Sequence, residues 1–464
     1  PLAEFSEVSL NGGLLFMDRV MYYLQKDLIL LLVICFVIIL LIYYISFRAK
    51  RSVLLPMSVV VFGAVWSMGI VSLLGFELTI INIITPVLVL TLGSSYSIHL
   101  LSEYYRTHPK LFSCNDSSWL VDVVEHISKT VVIAGLTTVA GFLSLLVTRI
   151  PEFRQFGIST SIGILACVLL TLFYMPAMLS LLPNPEQIYY KRAVSGGMSR
   201  FMKRIASFII HRWYIMLVLF AAVAVVFIFA YPRVTFETSY VHYFPSEDEV
   251  ITGLKKMVSR IGGMDGIYIT IDAPEESDRY FIEPENLRFV DDFEEAVRNN
   301  VPEITHTLSF PTYIRFFNRI MTGEAEIPET KGLIMLLSRY IRLISESSAG
   351  NSDLELLLDD SANRLTISFR YANPDTSRLA DLQDSQKVID AVTAYADELL
   401  PSELSYTVWG QSKRFISLSN LIAKDQRDST LIAVAIVFAI TSAVFLSFKY
   451  GALSLLPILF GIMT

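Results

Sequence analysis

The chain has 464 residues, of which 53% are hydrophobic and 17% charged, and this composition excludes a water-soluble globular protein. Charge is unevenly divided. Residues 233–428 carry 20 basic and 33 acidic side chains, which give this segment a net charge of −13. The rest of the chain carries 17 basic and 11 acidic side chains, a net charge of +6. An acidic polar segment and a total charge of −7 argue against nucleic acid as a partner.

Apolar stretches without charged residues predict eight membrane-spanning helices, because about 20 such residues cross the hydrocarbon core of a bilayer. Glu77 alone separates the second stretch from the third. The predicted spans, the last of them truncated, are 28–47, 52–76, 78–102, 131–148, 156–182, 213–232, 429–448 and 450–464.

Polar residues interrupt the otherwise apolar third span, and two threonines of the fourth span are their expected neighbours. The predicted transmembrane polar cluster comprises Ser94, Ser95, Tyr96, Ser97, His99, Thr137 and Thr138. Polar groups inside a bilayer mark an ion path or a contact between helices. Close packing of small residues, with hydroxyls bonded to their own helix, explains the pattern equally well.

The polar segment between Pro232 and Ser429 predicts two strand–helix–strand units. The first unit has strands at 266–273 and 303–310 around a helix at 285–300. The second has strands at 364–372 and 405–411 around a helix at 377–400. Two such units predict a ferredoxin-like, split βαβ arrangement.

Residues 311–360, between the two units, are predicted to be helical and begin with three aromatic side chains. Tyr313, Phe316 and Phe317 are the candidates for contact with a lipid-like substrate. A place in the core is the more common role of such residues, so both interpretations stay open.

Residues 27–56 and 428–457 form a repeat at a constant offset of 401 positions. The identities include Asp27 with Asp428, Ser46–Phe47 with Ser447–Phe448, and Leu54–Pro56 with Leu455–Pro457. Paired halves are a common plan for transporters, with the substrate path between the halves. Because the second copy stops within its second helix, we expect the chain to be the central part of a longer protein.

Basic residues concentrate in three loops, at 48–51, 106–129 and 191–212, and the positive-inside rule places these loops in the cytoplasm. The acidic segment 233–428 is then extracytoplasmic. It contains none of the three cysteines, so no disulfide framework is expected there. The expected location is a bacterial inner membrane.

Four motifs, in order, resemble the resistance-nodulation-division (RND) superfamily, in its lipid-transporting MMPL and hopanoid-exporter branch. They are GSSYSIHLLSEYY at 93–105, GLTTVAGFLSLL at 135–146, the stretch 151–179, and YVHYFPSEDEV at 240–250. The resemblance implies twelve spans in two halves, each half with an extracytoplasmic domain after its first span. The first five spans here correspond to helices 2–6 of the family, the sterol-sensing-domain arrangement.

The fold class expected from this resemblance is an α-helical polytopic membrane protein with an extracytoplasmic α+β domain. The predicted segments are the end of a first extracytoplasmic domain at 1–26, a five-helix transmembrane bundle at 27–182, a cytoplasmic connector at 183–212, helix 7 at 213–232, the second extracytoplasmic domain at 233–428, and helices 8 and 9 at 429–464.

One departure from the family concerns its proton-carrying residue. Proton-driven members often have Asp-Tyr where this sequence has Ser95-Tyr96, and serine does not titrate. The repeat predicts a sister helix near position 496, beyond the chain. We expect an aspartate there to carry the proton, with Ser95, Tyr96 and Thr138 as hydrogen-bond partners.

Two functions from different classes remain open. The first is proton-driven export of a lipid or amphiphile, with protons and the bilayer as further partners and a homo-oligomer or a periplasmic protein as expected associates. The second is a lipid sensor or assembly scaffold that does not transport. Residues 233–428 show no nucleophile–base pair, metal-ligand cluster or phosphate loop, so no enzyme activity, metal or cofactor is expected.

Overall fold

The structure is a computed structural model that describes residues 13–47, 50–76, 79, 81–107, 118–182, 197–230, 244, 248–261, 263, 265–275, 277–347, 357–373 and 380–463. The chain forms two compact units. The sheet unit comprises residues 1–20 and 236–421, and the helical unit comprises residues 21–235 and 422–464.

The helical unit is built from long apolar helices. They are α1 (Gly13–Phe47), α2 (Lys50–Leu73), α3 (Thr85–Thr107), α4 (Ser118–Leu143), α5 (Pro151–Leu169), α6 (Met175–Leu181), α7 (Gly197–His211), α8 (Trp213–Ala230), α14 (Gln411–Phe445) and α15 (Phe448–Met463). The first residues of α1 and α14 belong to the sheet unit. A π-helical turn, Leu170–Tyr174, joins α5 to α6.

Six helices of the described residues are long and apolar enough to cross a membrane. They are Asp18–Phe47, Lys50–Leu73, Asn82–Arg106, Leu120–Val147, Pro151–Leu181 and Gln411–Phe445. Helix α4 begins at Ser118, before the predicted span 131–148, because the helix continues through the charged residues that precede this span. The helical unit is therefore that of a polytopic membrane protein.

Two predicted spans are not among these six helices. The predicted sixth span corresponds to α8, which meets α7 at an 84° bend and counts as a seventh span only together with it. The predicted last span is a shorter apolar helix, Phe448–Gly461. Of the predicted connector 183–212, residues 183–196 lie outside the described residues, as do residues 1–12 and most of 240–250.

Among its described residues the sheet unit contains four strands, β1 (Asp265–Asp272), β2 (Ile304–Leu308), β3 (Arg364–Tyr371) and β4 (Ser405–Trp409). Every pair is antiparallel, and the strand order is β2-β3-β1-β4. Five helices accompany the strands: α9 (Glu249–Ile261), α10 (Pro284–Asn300), α11 (Phe310–Thr322), α12 (Lys331–Ser347) and α13 (Leu382–Leu399). The two strand–helix–strand units predicted from sequence are β1–α10–β2 and β3–α13–β4.

The core of the sheet unit lies on one face of the sheet. Ile269 pairs with Ile367 in register, and both side chains are fully buried with their alternate neighbours along each strand. Val290 of α10 and Val388 of α13 pack into the same cluster, as does Leu337 of α12. Alternating burial along β1, where Ile267, Ile269 and Ile271 are fully buried, and helical periodicity in the covering helices define this face.

Local sequence signals set the helix boundaries in this unit. Ser309 accepts a hydrogen bond from the Thr312 backbone N–H and begins α11, which ends at Gly323 with a φ of 87°. Asp381 and Asp384 form a capping box at the start of α13. The α11–α12 hairpin therefore has a defined beginning and turn.

Candidate functional site

The third span, α3, is placed by close contacts with its neighbours. Cys167 of α5 is fully buried, and a Cβ atom at Gly93 of α3 would lie 2.6 Å from its sulfur. A Cβ atom at Gly63 of α2 would lie 2.3 Å from the same sulfur. The side chain of Cys167 therefore occupies the space left by two glycines, which lets three helices approach closely.

A buried hydroxyl pair joins α3 to the π-helical turn. Ser97 Oγ lies 3.2 Å from Thr171 Oγ1, and both residues are fully buried. The hydrogen bond satisfies both hydroxyl groups within the helix bundle. A π-helical turn inside an α-helix is rare and is frequent at functional sites, so this pair marks the centre of the candidate site.

Two tyrosines contact the same stretch of α3. The Tyr43 hydroxyl of α1 donates to the Ser94 carbonyl oxygen at 2.7 Å, and Tyr43 is fully buried. Tyr96, itself 3% exposed, is hydrogen-bonded through its side chain to Thr138 of α4. The sequence predicts Tyr96 and Thr138 as partners of an aspartate on a sister helix, and that stays a prediction.

Further polar contacts continue toward the start of α3. Ser67 Oγ donates to the Ser159 carbonyl oxygen at 2.9 Å, and Thr85 Oγ1 lies 3.4 Å from Ser159 Oγ. Asn82 donates to Gln155 Oε1 at 3.2 Å. Hydroxyl and amide groups of α2, of α3 with the turn before it, and of α5 thus line one side of the bundle.

The structure does not gather the predicted polar cluster into one site. Ser95 and His99 lie on the exposed face of α3, with Thr91 and Ser102 at helical spacing, and Ser95 Oγ bonds only the Leu92 carbonyl oxygen at 2.7 Å. Thr137 bonds the backbone of its own helix. The predicted cluster therefore divides into a buried side (Ser94, Tyr96, Ser97), an exposed side (Ser95, His99) and two half-buried threonines of α4 (Thr137, Thr138).

The aromatic residues predicted as substrate contacts also differ in position. Tyr313 and Phe317 of α11 are partly buried and pack against the core of the sheet unit. Phe316 is 57% exposed. It belongs to an apolar face of the α11–α12 hairpin whose other members are Ile320, Met321, Met335, Leu336, Tyr340 and Leu343, each at least 40% exposed.

Comparison with known proteins shows what the first half of the chain resembles. Residues 4–227 match the model of the MMPL family. Over this region, just under half of its length, the chain is similar to the MMPL family. Over 139 residues it is 29% identical to a Methanocaldococcus jannaschii chain that is named as a membrane protein. That match covers 30% of this chain and 35% of the relative, so it spans about a third of the relative's length.

The buried polar site lies wholly within the matched MMPL region. Sequence reasoning missed several of its members, among them Tyr43, Ser159 and Thr171. Thr171 and Ser159 are polar residues within an apolar predicted span, which is the same signal that singled out α3. Tyr43 gave no signal, because a tyrosine near the end of a span normally indicates the membrane interface.

Proposed function

We propose that this MMPL-type protein is part of an RND transporter that exports a lipid or another amphiphile from a bacterial inner membrane, driven by the proton gradient. The observation that carries the proposal is the exposed apolar face of the α11–α12 hairpin. Helices α11 and α12 bury Ile314 and Ile334 in the core and still present Phe316, Leu336 and Leu343 outward. A soluble unit that exposes such a face is suited to contact with acyl chains.

The strand order of the sheet unit supports the family architecture. The order β2-β3-β1-β4, with all pairs antiparallel, matches the split βαβ arrangement expected for an extracytoplasmic domain of this superfamily. We place this unit outside the cytoplasm, because the basic loops at 48–51, 106–129 and 191–212 favour the opposite side.

The exposed polar face of α3 supports proton coupling. Thr91, Ser95, His99 and Ser102 would be unfavourable against lipid, since polar groups in hydrocarbon need partners. We propose that the sister bundle covers this face. The proton then passes between the halves, carried by a carboxylate of the sister helix, because the sequence has no acidic residue from Thr85 to Ser102.

The decisive experiment measures lipid release from vesicles that contain the full-length protein and a proton gradient. Phe316→Ser should reduce release severalfold. Its matched control is Phe289→Ser on α10, which removes a phenylalanine of similar exposure, 46%, outside the hairpin. Equal release from both variants would contradict the lipid-contact role of the hairpin.

A second arm of this experiment tests the driving force. Dissipating the gradient should stop release, and Ser95→Leu should slow it by filling the proposed proton path. Ser180→Leu is the control, because Ser180 is also exposed and bonded only to its own helix, through the Ala177 carbonyl oxygen at 2.8 Å. Release that continues without a gradient would exclude proton coupling.

The alternative function is a membrane lipid sensor or scaffold without transport. One observation favours it: Ser95 stands where proton-driven relatives often have aspartate. Lipid binding by the full-length protein, without net movement across vesicles at any gradient, would support this alternative over the transporter.

A further inference from the structure

The apolar face of the α11–α12 hairpin contains two arginines. Arg339 of α12 is exposed, and the exposed Met335 and Leu343 each lie one helical turn away from it. Arg319 of α11 is exposed one turn after Phe316. Each cation therefore shares a helix face with apolar side chains.

Neither of these two arginines has a carboxylate partner, whereas two other arginines of the same hairpin do. Arg315 Nη1 lies 2.8 Å from a glutamate oxygen of α10, and Arg342 Nη1 lies 2.7 Å from an aspartate oxygen of the segment before β3. Within the part of the chain that the structure describes, Arg319 and Arg339 form no such ion pair. Their charge is therefore available to an anion from outside the chain.

The hairpin helices are poor in acidic residues, although the segment that contains them is acidic. Residues 233–428 have a net charge of −13, yet no aspartate or glutamate occurs in 310–323 or in 331–343. The nearest glutamates in the sequence lie in the loop between the two helices, at 324, 326 and 329. Among the described residues none of them pairs with either arginine. The apolar face is thus locally positive and attracts anions.

The two arginines lie at neighbouring levels of the hairpin. Phe317 of α11 and Tyr340 of α12 pack edge to face, with their ring centroids 5.7 Å apart. Arg339 directly precedes Tyr340, and Arg319 follows Phe317 by two positions. A ligand that lies across the two helices at this contact therefore meets both positive charges.

We propose that the apolar face of the hairpin binds one lipid molecule with an anionic headgroup. Arg319 and Arg339 contact the headgroup, because a guanidinium group donates two parallel hydrogen bonds to a phosphate or carboxylate. Phe316 and Leu336 contact the acyl chains, which need an apolar surface. The inference rests on the proposed function, of which it specifies the substrate class.

The charge of the surroundings favours a single lipid over two other occupants. A second copy of the chain docked face to face would bring the same arginines near each other, and like charges across an interface are unfavourable. An anionic bilayer surface would repel segment 233–428 as a whole, because its net charge is −13. A single anionic lipid meets only the local positive charge of the hairpin.

The first test measures which lipid contacts the hairpin of the full-length protein. Leu336→p-benzoylphenylalanine, in maltoside micelles, is irradiated with tritiated phosphatidylglycerol or with tritiated phosphatidylcholine that has the same acyl chains. Labelling by phosphatidylglycerol should be severalfold higher and should saturate at a single lipid per protein molecule. Equal labelling by the two lipids, labelling that rises without saturation, or a cross-link to a second copy would overturn the proposal.

The second test removes the two charges in the same photoreactive background. Arg319→Gln/Arg339→Gln should lower labelling by phosphatidylglycerol severalfold and leave labelling by phosphatidylcholine unchanged. The matched control, Arg288→Gln/Arg414→Gln, removes two exposed arginines of the sheet unit outside the hairpin and should change neither. Unchanged labelling in the first variant, or an equal fall in both, would overturn the assignment. Size-exclusion profiles that match the parent protein confirm that each variant is folded.

The same variants separate this inference from the proposed transport function. If labelling is equal for the two lipids while Phe316→Ser still reduces lipid release, only the preference for an anionic headgroup is wrong. If phosphatidylglycerol labels the hairpin selectively and no lipid is released at any proton gradient, the binding site stands and transport is wrong.

Discussion

Gly93 of α3 and Cys167 of α5 approach so closely that a methyl group at position 93 would lie 2.6 Å from the cysteine sulfur. Gly63 of α2 meets the same sulfur from another helix. This contact fixes the distance between three helices and thereby brings Ser97 within hydrogen-bond distance of Thr171. The geometry of the polar site thus depends on residues that carry no polar group in it.

Gly93→Ala should destabilise the helical unit by about 1–3 kcal/mol, because a methyl group is forced into filled space. Gly69→Ala on α2 is the control, since no atom lies within 4 Å of its added methyl group. Thermal unfolding of the full-length protein in detergent should show a lower midpoint only for Gly93→Ala. Adding Cys167→Ala should restore part of the loss. Equal midpoints for both alanine variants would disprove the close contact.

The Ser97–Thr171 hydrogen bond should appear as a coupling in a double-mutant cycle. Ser97→Ala and Thr171→Val each remove one hydroxyl of the pair and leave the other without this partner. Each substitution should cost about 1 kcal/mol of stability. The double variant should lose less than the sum, by about 0.6 kcal/mol, the usual coupling inside membranes. Ser95→Ala should have little effect on stability, because its hydroxyl bonds only its own helix. Strict additivity would mean that the two hydroxyls do not interact.

Glu294 of α10 is fully buried and holds the beginning of α11. Its carboxylate accepts hydrogen bonds from the hydroxyls of Thr307, Ser309 and Thr312, the last at 2.8 Å. Glu294→Leu should cost about 3 kcal/mol, because three donors lose a charged acceptor, whereas Glu294→Gln should cost roughly half as much. Hydrogen exchange measured by mass spectrometry should show faster exchange across 310–347. Glu285→Leu, at an exposed site of the same helix, should leave that exchange unchanged.

Asp291 of α10 should make the sheet unit more stable at mildly acidic pH. Burial raises the pKa of its carboxyl group to about 6, although Arg315 Nη1, 3.2 Å from Oδ1, acts to lower it. Oδ1 accepts no hydrogen bond that would compensate its desolvation. The folded state therefore binds the proton more tightly than the unfolded state. Stability from this group is present below about pH 4 and is lost as pH rises through about 6.

The full change should be roughly 1–3 kcal/mol for a shift of this size. Hydrogen exchange across residues 284–300 of the full-length protein should be slower at pH 5 than at pH 7, after correction for the intrinsic rate. Asp291→Asn should remove most of this difference, because the amide does not titrate. Persistence of the same pH dependence in Asp291→Asn would assign it to another group.

The sequence located the membrane helices and the four strands closely, since both follow from local patterns. An apolar, charge-free stretch long enough to cross a bilayer forms a helix. Alternation of apolar and polar side chains in 266–273 predicts a strand with one buried and one exposed face. The bend at Arg212 was not predicted, because hydropathy records that α7 is amphipathic without recording the direction of its axis. The span expected at 213–232 was therefore described without the helix that meets it at the bend.

The composition alone also predicted a membrane protein, and the motifs at 93–105 and 135–146 lie in the region that is similar to the MMPL family. Which polar side chains meet was decided only by tertiary structure. Ser95 and Ser97 are two residues apart, and they lie on different faces of α3 because successive residues rotate by about 100° around a helix axis. Ser97 lies within hydrogen-bond distance of Thr171 because the Gly93–Cys167 contact sets the separation of the helices. The two residues are 74 positions apart, and the local sequence around either one does not determine the distance between them.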